Sequence, residues 1–158
     1  RGLPEWCTVT ILSMIGLFNI FGTLTSGYLA QKFSKKLILS AIYLARGLVI
    51  AVFIFSPPST FMAIFFGITF GFLWLSTVPP TGGLVGFIFG TKYIGLLYGI
   101  VFLSHQIGSF FGAYLGGVFH DLYGSYDYAW YISIALSIFA GLIHLPIIEK
   151  QVKRLQTT

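Results

Sequence analysis

The chain has 158 residues, of which 56% are apolar and 8% charged, with a net charge of +5 and a mean hydropathy of +0.90. Soluble domains carry about 25% charged residues, so a globular surface is excluded. The cations sit between apolar segments rather than along a polar face, which argues against nucleic acid. A single cysteine, Cys7, excludes an internal disulfide and a multi-cysteine metal site.

No Asp, Glu, Lys or Arg occurs between Glu5 and Lys32, Arg46 and Lys92, Lys92 and Asp121, or Asp127 and Glu149. Each interval exceeds the roughly 20 apolar residues that carry a helix across a bilayer, where the backbone has no partner but its own helix. A further stretch, Leu37 to Ser56, qualifies except for Arg46. The expectation is an all-α, polytopic membrane helix bundle with five transmembrane helices.

In chain order, the first helix is expected over 7–30. It ends in the basic loop Gln31-Lys32-Phe33-Ser34-Lys35-Lys36. The second covers 37–55 and stops at Pro57-Pro58, which cannot continue a helix. The third, 60–90, would measure about 45 Å if straight, well beyond a ~30 Å hydrocarbon core. It carries Pro79-Pro80 and Gly82-Gly83, so a kink or break is expected near 79–83. The fourth covers 95–119 and the fifth 127–148, with Asp127 expected to cap its N-terminus. The missing initiator Met and the unremarkable start of the chain suggest part of a longer polypeptide.

Alternate loops hold Lys32, Lys35 and Lys36, then Lys92, then Lys150, Lys153 and Arg154. The opposite side holds Arg1 with Glu5, then Asp121 and Asp127. Lys and Arg are retained inside, so the C-terminus is expected to be cytoplasmic.

Small and polar residues fall on helix faces. Ser13, Gly16, Asn19, Thr23, Ser26 and Gly27 form one stripe on the first helix, with Asn19 expected in an interhelical bond. The third carries Gly67-x-x-x-Gly71, and the fourth aligns His105, Gly108, Gly112 and Gly116. Such rows let helices approach closely in lipid, which fits any bundle.

Several residues are candidates for solute contact or coupling. Arg46 lies ten residues beyond Lys36, hence about 15 Å into the membrane. There it is either a counter-charge for an anion or a partner for carbonyls of neighbouring helices. His105 lies near mid-membrane beside Gln106, one turn from Ser109. An imidazole there either takes part in proton movement or makes a neutral interhelix bond. Trp74 and Thr77 share a face just before the proline pair and are either packing residues or cavity lining. His144, near a helix end, reads as an interfacial structural residue.

Gly27-x-x-x-Gln31-Lys32-Phe33-Ser34-Lys35-Lys36 resembles the Gly-x-x-x-Asp-Arg-x-Gly-Arg-Arg loop of the major facilitator superfamily, with Gln31 in place of the acid and Ser34 in place of the second Gly. Leu115 to Asp127, Val78 to Val85 and Phe102 to Gly108 are similar to segments of bacterial monocarboxylate-transporter-like members. The resemblance implies the eighth to twelfth helices of a twelve-helix protein, an incomplete C-terminal domain whose N-terminal transmembrane domain is missing here. It puts the helix of Arg46 at the bundle's edge, which favours carbonyl pairing. It also implies a multi-pass protein of the inner (plasma) membrane. The implied function is secondary transport of a small organic solute, a monocarboxylate among the candidates, by alternating access, with protons as a candidate symported ion. No cofactor, metal or nucleic acid is expected. Two other classes of function compete with this one. A membrane-embedded enzyme is disfavoured because no acid lies within any span. A non-transporting receptor or scaffold is the remaining alternative.

Overall fold

The computed structural model describes residues 5–152, which form helices without any strand. In order these are α1 (Glu5–Lys32), α2 (Lys35–Phe55), α3 (Thr60–Trp74), α4 (Val78–Phe89), α5 (Ile94–Tyr123) and α6 (Asp127–His144). Taking α3 and α4 as one interrupted span over Thr60–Phe89, five helical segments are long and apolar enough to cross a membrane. Large apolar side chains such as Leu12, Leu24, Leu48, Phe61, Phe110 and Leu136 lie on the outside, where a soluble protein would place polar ones. The chain is therefore an all-α membrane helix bundle.

Two seams organise it. α1 lies along α3, and α2 lies along α6. The first seam depends on missing side chains. A Cβ at Gly71 would sit 2.6 Å from Ile15 Cα, and one at Gly22 would sit 1.8 Å from the carbonyl oxygen of Phe72. Gly67 meets Ile11 in the same way. In the second seam Gly47 faces Ser137 and Gly141 faces Leu44. Between the seams Ile50, Phe66 and Phe70 form the buried core, with Ile15, Phe53, Trp130 and Ile134 packed around it. Ring centroids step from Phe53 to Phe66 (4.2 Å), Phe70 (4.8 Å) and Trp74 (5.1 Å). Each such pair adds about 0.5–1.5 kcal/mol beyond its buried area.

α5 differs from the others. None of its residues is buried, and a Cβ at Gly108, Gly112 or Gly116 would meet nothing within 4 Å among the described residues. The glycine row expected to pack a neighbour is open here.

Several boundaries shift for identifiable reasons. α5 runs to Tyr123 rather than 119 and stops at Gly124, whose φ of +66° suits glycine. α6 ends at His144 rather than near 148, because Pro146 follows two residues on, just past the Leu145 cap. Asp127 is the first residue of α6 and not its cap. The Ser125 hydroxyl instead accepts from the Asp127 N–H at 3.1 Å. The interruption of the third span lies at 75–77, ahead of the prolines rather than at 79–83. Pro79 falls in the first turn of α4, where a helix needs no N–H from it, so the pair starts a helix instead of breaking one.

Candidate functional site

A helix interrupted inside a membrane leaves carbonyl and N–H groups that lipid cannot satisfy. Here two flanking helices supply the partners. Arg46 of α2 donates from Nη2 to the carbonyls of Leu73 (2.7 Å) and Trp74 (2.8 Å), which end α3. Asn19 of α1 accepts through Oδ1 from the Leu75 N–H at 3.1 Å. Within the segment the Ser76 hydroxyl donates to the Phe72 carbonyl, and Thr81 Oγ1 donates to the Thr77 carbonyl at 2.6 Å. Ser76 is buried, with Gly22 against it. A cation at the C-terminal end of a helix is also favoured by the helix dipole.

Beside this interruption open two adjoining cavities of about 430 and 530 Å³. Tyr43, Arg46, Trp74, His105 and Ser109 line both. The first extends along Thr77, Thr81, Tyr98 and Ser104, and the second toward Ser133 and Ser137 of α6. Among the described residues no Asp or Glu lines either. Among the described residues the formal charge on the walls is therefore the guanidinium of Arg46, whose buried Nε has no hydrogen-bond partner. Its Cζ lies 5.4 Å from the centroid of the Tyr43 ring, within cation–π range.

The residues singled out from sequence separate into two sets. Arg46, Trp74, Thr77 and His105, from three different spans, line the first cavity together. Gln106 lines neither, because it lies about 100° around α5 from His105. The Ser109 hydroxyl donates to the backbone carbonyl of His105 at 3.0 Å and not to its ring. His144 lies apart, its ring stacked on Tyr43 at 5.2 Å and its Nδ1 at 2.6 Å from the Ala140 carbonyl. Sequence reasoning missed Tyr43 and Tyr98. Helical spacing held the signal, since Tyr43 precedes Arg46 by one turn and Tyr98 precedes His105 by two.

The basic corner between α1 and α2 is built differently from its sequence pattern. Gly27 packs on Pro79 of α4, where an added Cβ would lie 3.5 Å from the proline Cβ. Lys32 donates to the Tyr28 hydroxyl, and Lys35 Nζ lies 5.2 Å from the centroid of Phe87. The acid absent at Gln31 arrives from the far end of the chain. Glu149 Oε1 accepts from Ser34 Oγ (3.0 Å) and from the Lys36 N–H (2.5 Å), capping α2. Lys36 Nζ donates to the Leu145 carbonyl at 3.0 Å, and Val152 N–H donates to the Ile88 carbonyl at 2.9 Å. The segment after α6 thereby ties the start of α2 to the end of α4.

A multi-pass helix bundle with an interrupted span and a cavity beside the interruption is an arrangement found in many membrane transport proteins. The family profile described as Major Facilitator Superfamily matches residues 6–157, and the chain belongs to that family. It is 28% identical to "Uncharacterized MFS-type transporter YcxA" of Bacillus subtilis (strain 168), over 89% of this chain and 36% of that protein. The chain thus spans about a third of the length of this relative. No solved structure matches it.

Proposed function

We propose that this segment belongs to a secondary transporter that moves a small organic anion, a monocarboxylate, by alternating access, with the cavity between α2, α3, α4 and α5 as its solute site. One observation carries the reading: Arg46 and His105, from separate spans, line one cavity with no carboxylate on its walls. A cation in a medium of low dielectric attracts an anion more strongly than in water, and the hydroxyl of Thr77 can donate to its oxygens. Trp74 and Tyr98 provide apolar faces for a short carbon chain. His105 is the residue through which a proton would accompany the solute.

The same proposal places the five spans as the eighth to twelfth helices of a twelve-helix protein of the plasma membrane. A preceding transmembrane domain of the same protein completes the pathway, and the C-terminus lies in the cytoplasm. The length of the Bacillus relative supports the extra domain. The position of the basic corner supports the sidedness.

The test is uptake of radiolabelled pyruvate and lactate into proteoliposomes holding the full-length polypeptide that carries this segment. Saturable uptake, competed by other short monocarboxylates and not by sugars or amines, is expected. Protein incorporated in the vesicles with no saturable uptake of any monocarboxylate would overturn the assignment.

A further inference from the structure

Arg46 serves two demands that one guanidinium cannot meet fully at once. It ends α3 by donating to the carbonyls of Leu73 and Trp74, and it lines both cavities beside them. Both bonds leave from the same nitrogen, Nη2, while the buried Nε–H stays unpaired. The buried Nε–H is thus an unsatisfied donor in the resting position, which a turn of the guanidinium toward a bound anion can satisfy.

We propose that Arg46 is a two-position latch. With the cavity empty, its guanidinium holds the end of α3 at the interruption. With an anion bound, it turns to the carboxylate, releases Leu73 and Trp74, and lets α4 move against α3. This rests on the reading of the cavity as an anion site. The exchange is favoured because a carboxylate offers two charged acceptors to the planar fork, whereas each carbonyl is a neutral acceptor reached singly. The exchange needs no passage through protein, since Arg46 already forms part of the cavity wall.

The other side of the interruption is built to stay closed. The Leu75 N–H is held by Asn19, a neutral amide that binds an anion more weakly than a guanidinium does, on a helix locked to α3 through Gly22, Gly67 and Gly71. One partner of the interruption is fixed and the other exchangeable, so solute binding would be felt first at residues 75–77. Ser76, only 1% exposed and seated against Gly22 of the fixed helix, reports that opening, because movement of α4 against α3 draws the connecting residues out of the seam.

The experiment uses the full-length protein with its native cysteines replaced and Ser76→Cys introduced. The rate of maleimide labelling at position 76 is measured with and without pyruvate, beside pyruvate uptake by the same preparation. Pyruvate is expected to raise the labelling rate several-fold. In Arg46→Gln, labelling without pyruvate should already match the raised rate, and pyruvate should add nothing. Should Arg46→Gln fail to reach the membrane, Arg46→Lys, which keeps the charge and loses the fork, should raise resting labelling in the same direction. Intact pyruvate uptake with unchanged labelling at position 76 would overturn the latch and leave the transport reading standing. An equal pyruvate response in the Arg46 variant would do the same. Absence of saturable pyruvate uptake in the unsubstituted protein would overturn the anion reading and the latch with it.

Discussion

Arg46 and Asn19 occupy the same kind of position on neighbouring helices, each a polar side chain deep in an apolar span. Their depth was legible in the sequence, and so was the need for partners. The partners were not legible, because Leu73, Trp74 and Leu75 contribute backbone groups, and a backbone group has no signature in composition. Asn19→Ala leaves the Leu75 N–H without its acceptor inside the bundle. An orphaned backbone donor costs about 1–3 kcal/mol, so the variant should lose stability in that range against SDS in mixed micelles. Asn19→Asp, which still offers an oxygen, should restore part of that bond at the cost of a buried charge. A loss under about 0.5 kcal/mol in Asn19→Ala would show that the bond contributes little. His105 belongs to the same scale. It is the histidine that lines the cavity, sharing it with Arg46, Tyr43 and Tyr98 as the other ionisable groups. If proton movement passes through it, His105→Gln flattens the pH dependence of uptake by the full-length protein at equal membrane abundance. Unchanged rate and pH dependence would remove it from the mechanism.

Helices and their order were largely readable from charge-free lengths, because the bilayer sets the length of a span whatever the side chains are. Which glycines matter was not readable. Glycine rows on α3 and α5 look alike in sequence, yet Gly67 and Gly71 meet the backbone of α1 while Gly108, Gly112 and Gly116 meet nothing among the described residues. Gly22, which makes the tightest approach of all, lies outside the stripe expected for α1. The prolines misled by a few residues for a related reason: a Pro pair breaks the helix before it and starts the one after it, and only packing decides where the interruption falls. The contrast yields a prediction. Gly71→Ala forces a Cβ into Ile15 Cα and should cost about 1–3 kcal/mol in spite of alanine's better helix propensity. Gly108→Ala should stay within about 0.5 kcal/mol or gain slightly. Unfolding of both variants in mixed micelles checks this, and equal losses would show that the α1–α3 seam is not the tight contact of the bundle.

At the scale of the molecule, the cations collect at one end. Lys32, Lys35 and Lys36 lie at the α1–α2 corner, Lys92 between α4 and α5, and Lys150 after α6. The bonds of Glu149 to Ser34 and Lys36, and of Val152 to Ile88, draw these three segments together. The opposite end, at the α5–α6 turn, carries Asp121 beside His120. Positive loops are retained on the cytoplasmic side, so the tied end should face inward. Native Cys7 cannot report this, because it is fully buried. Asp121→Cys and Gln31→Cys can, since both positions are exposed at opposite ends of the bundle. In intact cells producing the full-length protein without other reactive cysteines, an impermeant maleimide should label position 121 at once. It should label position 31 only after the membrane is opened. Labelling of position 31 in sealed cells would invert the assignment and put the basic corner, Glu149 and the end of the chain outside.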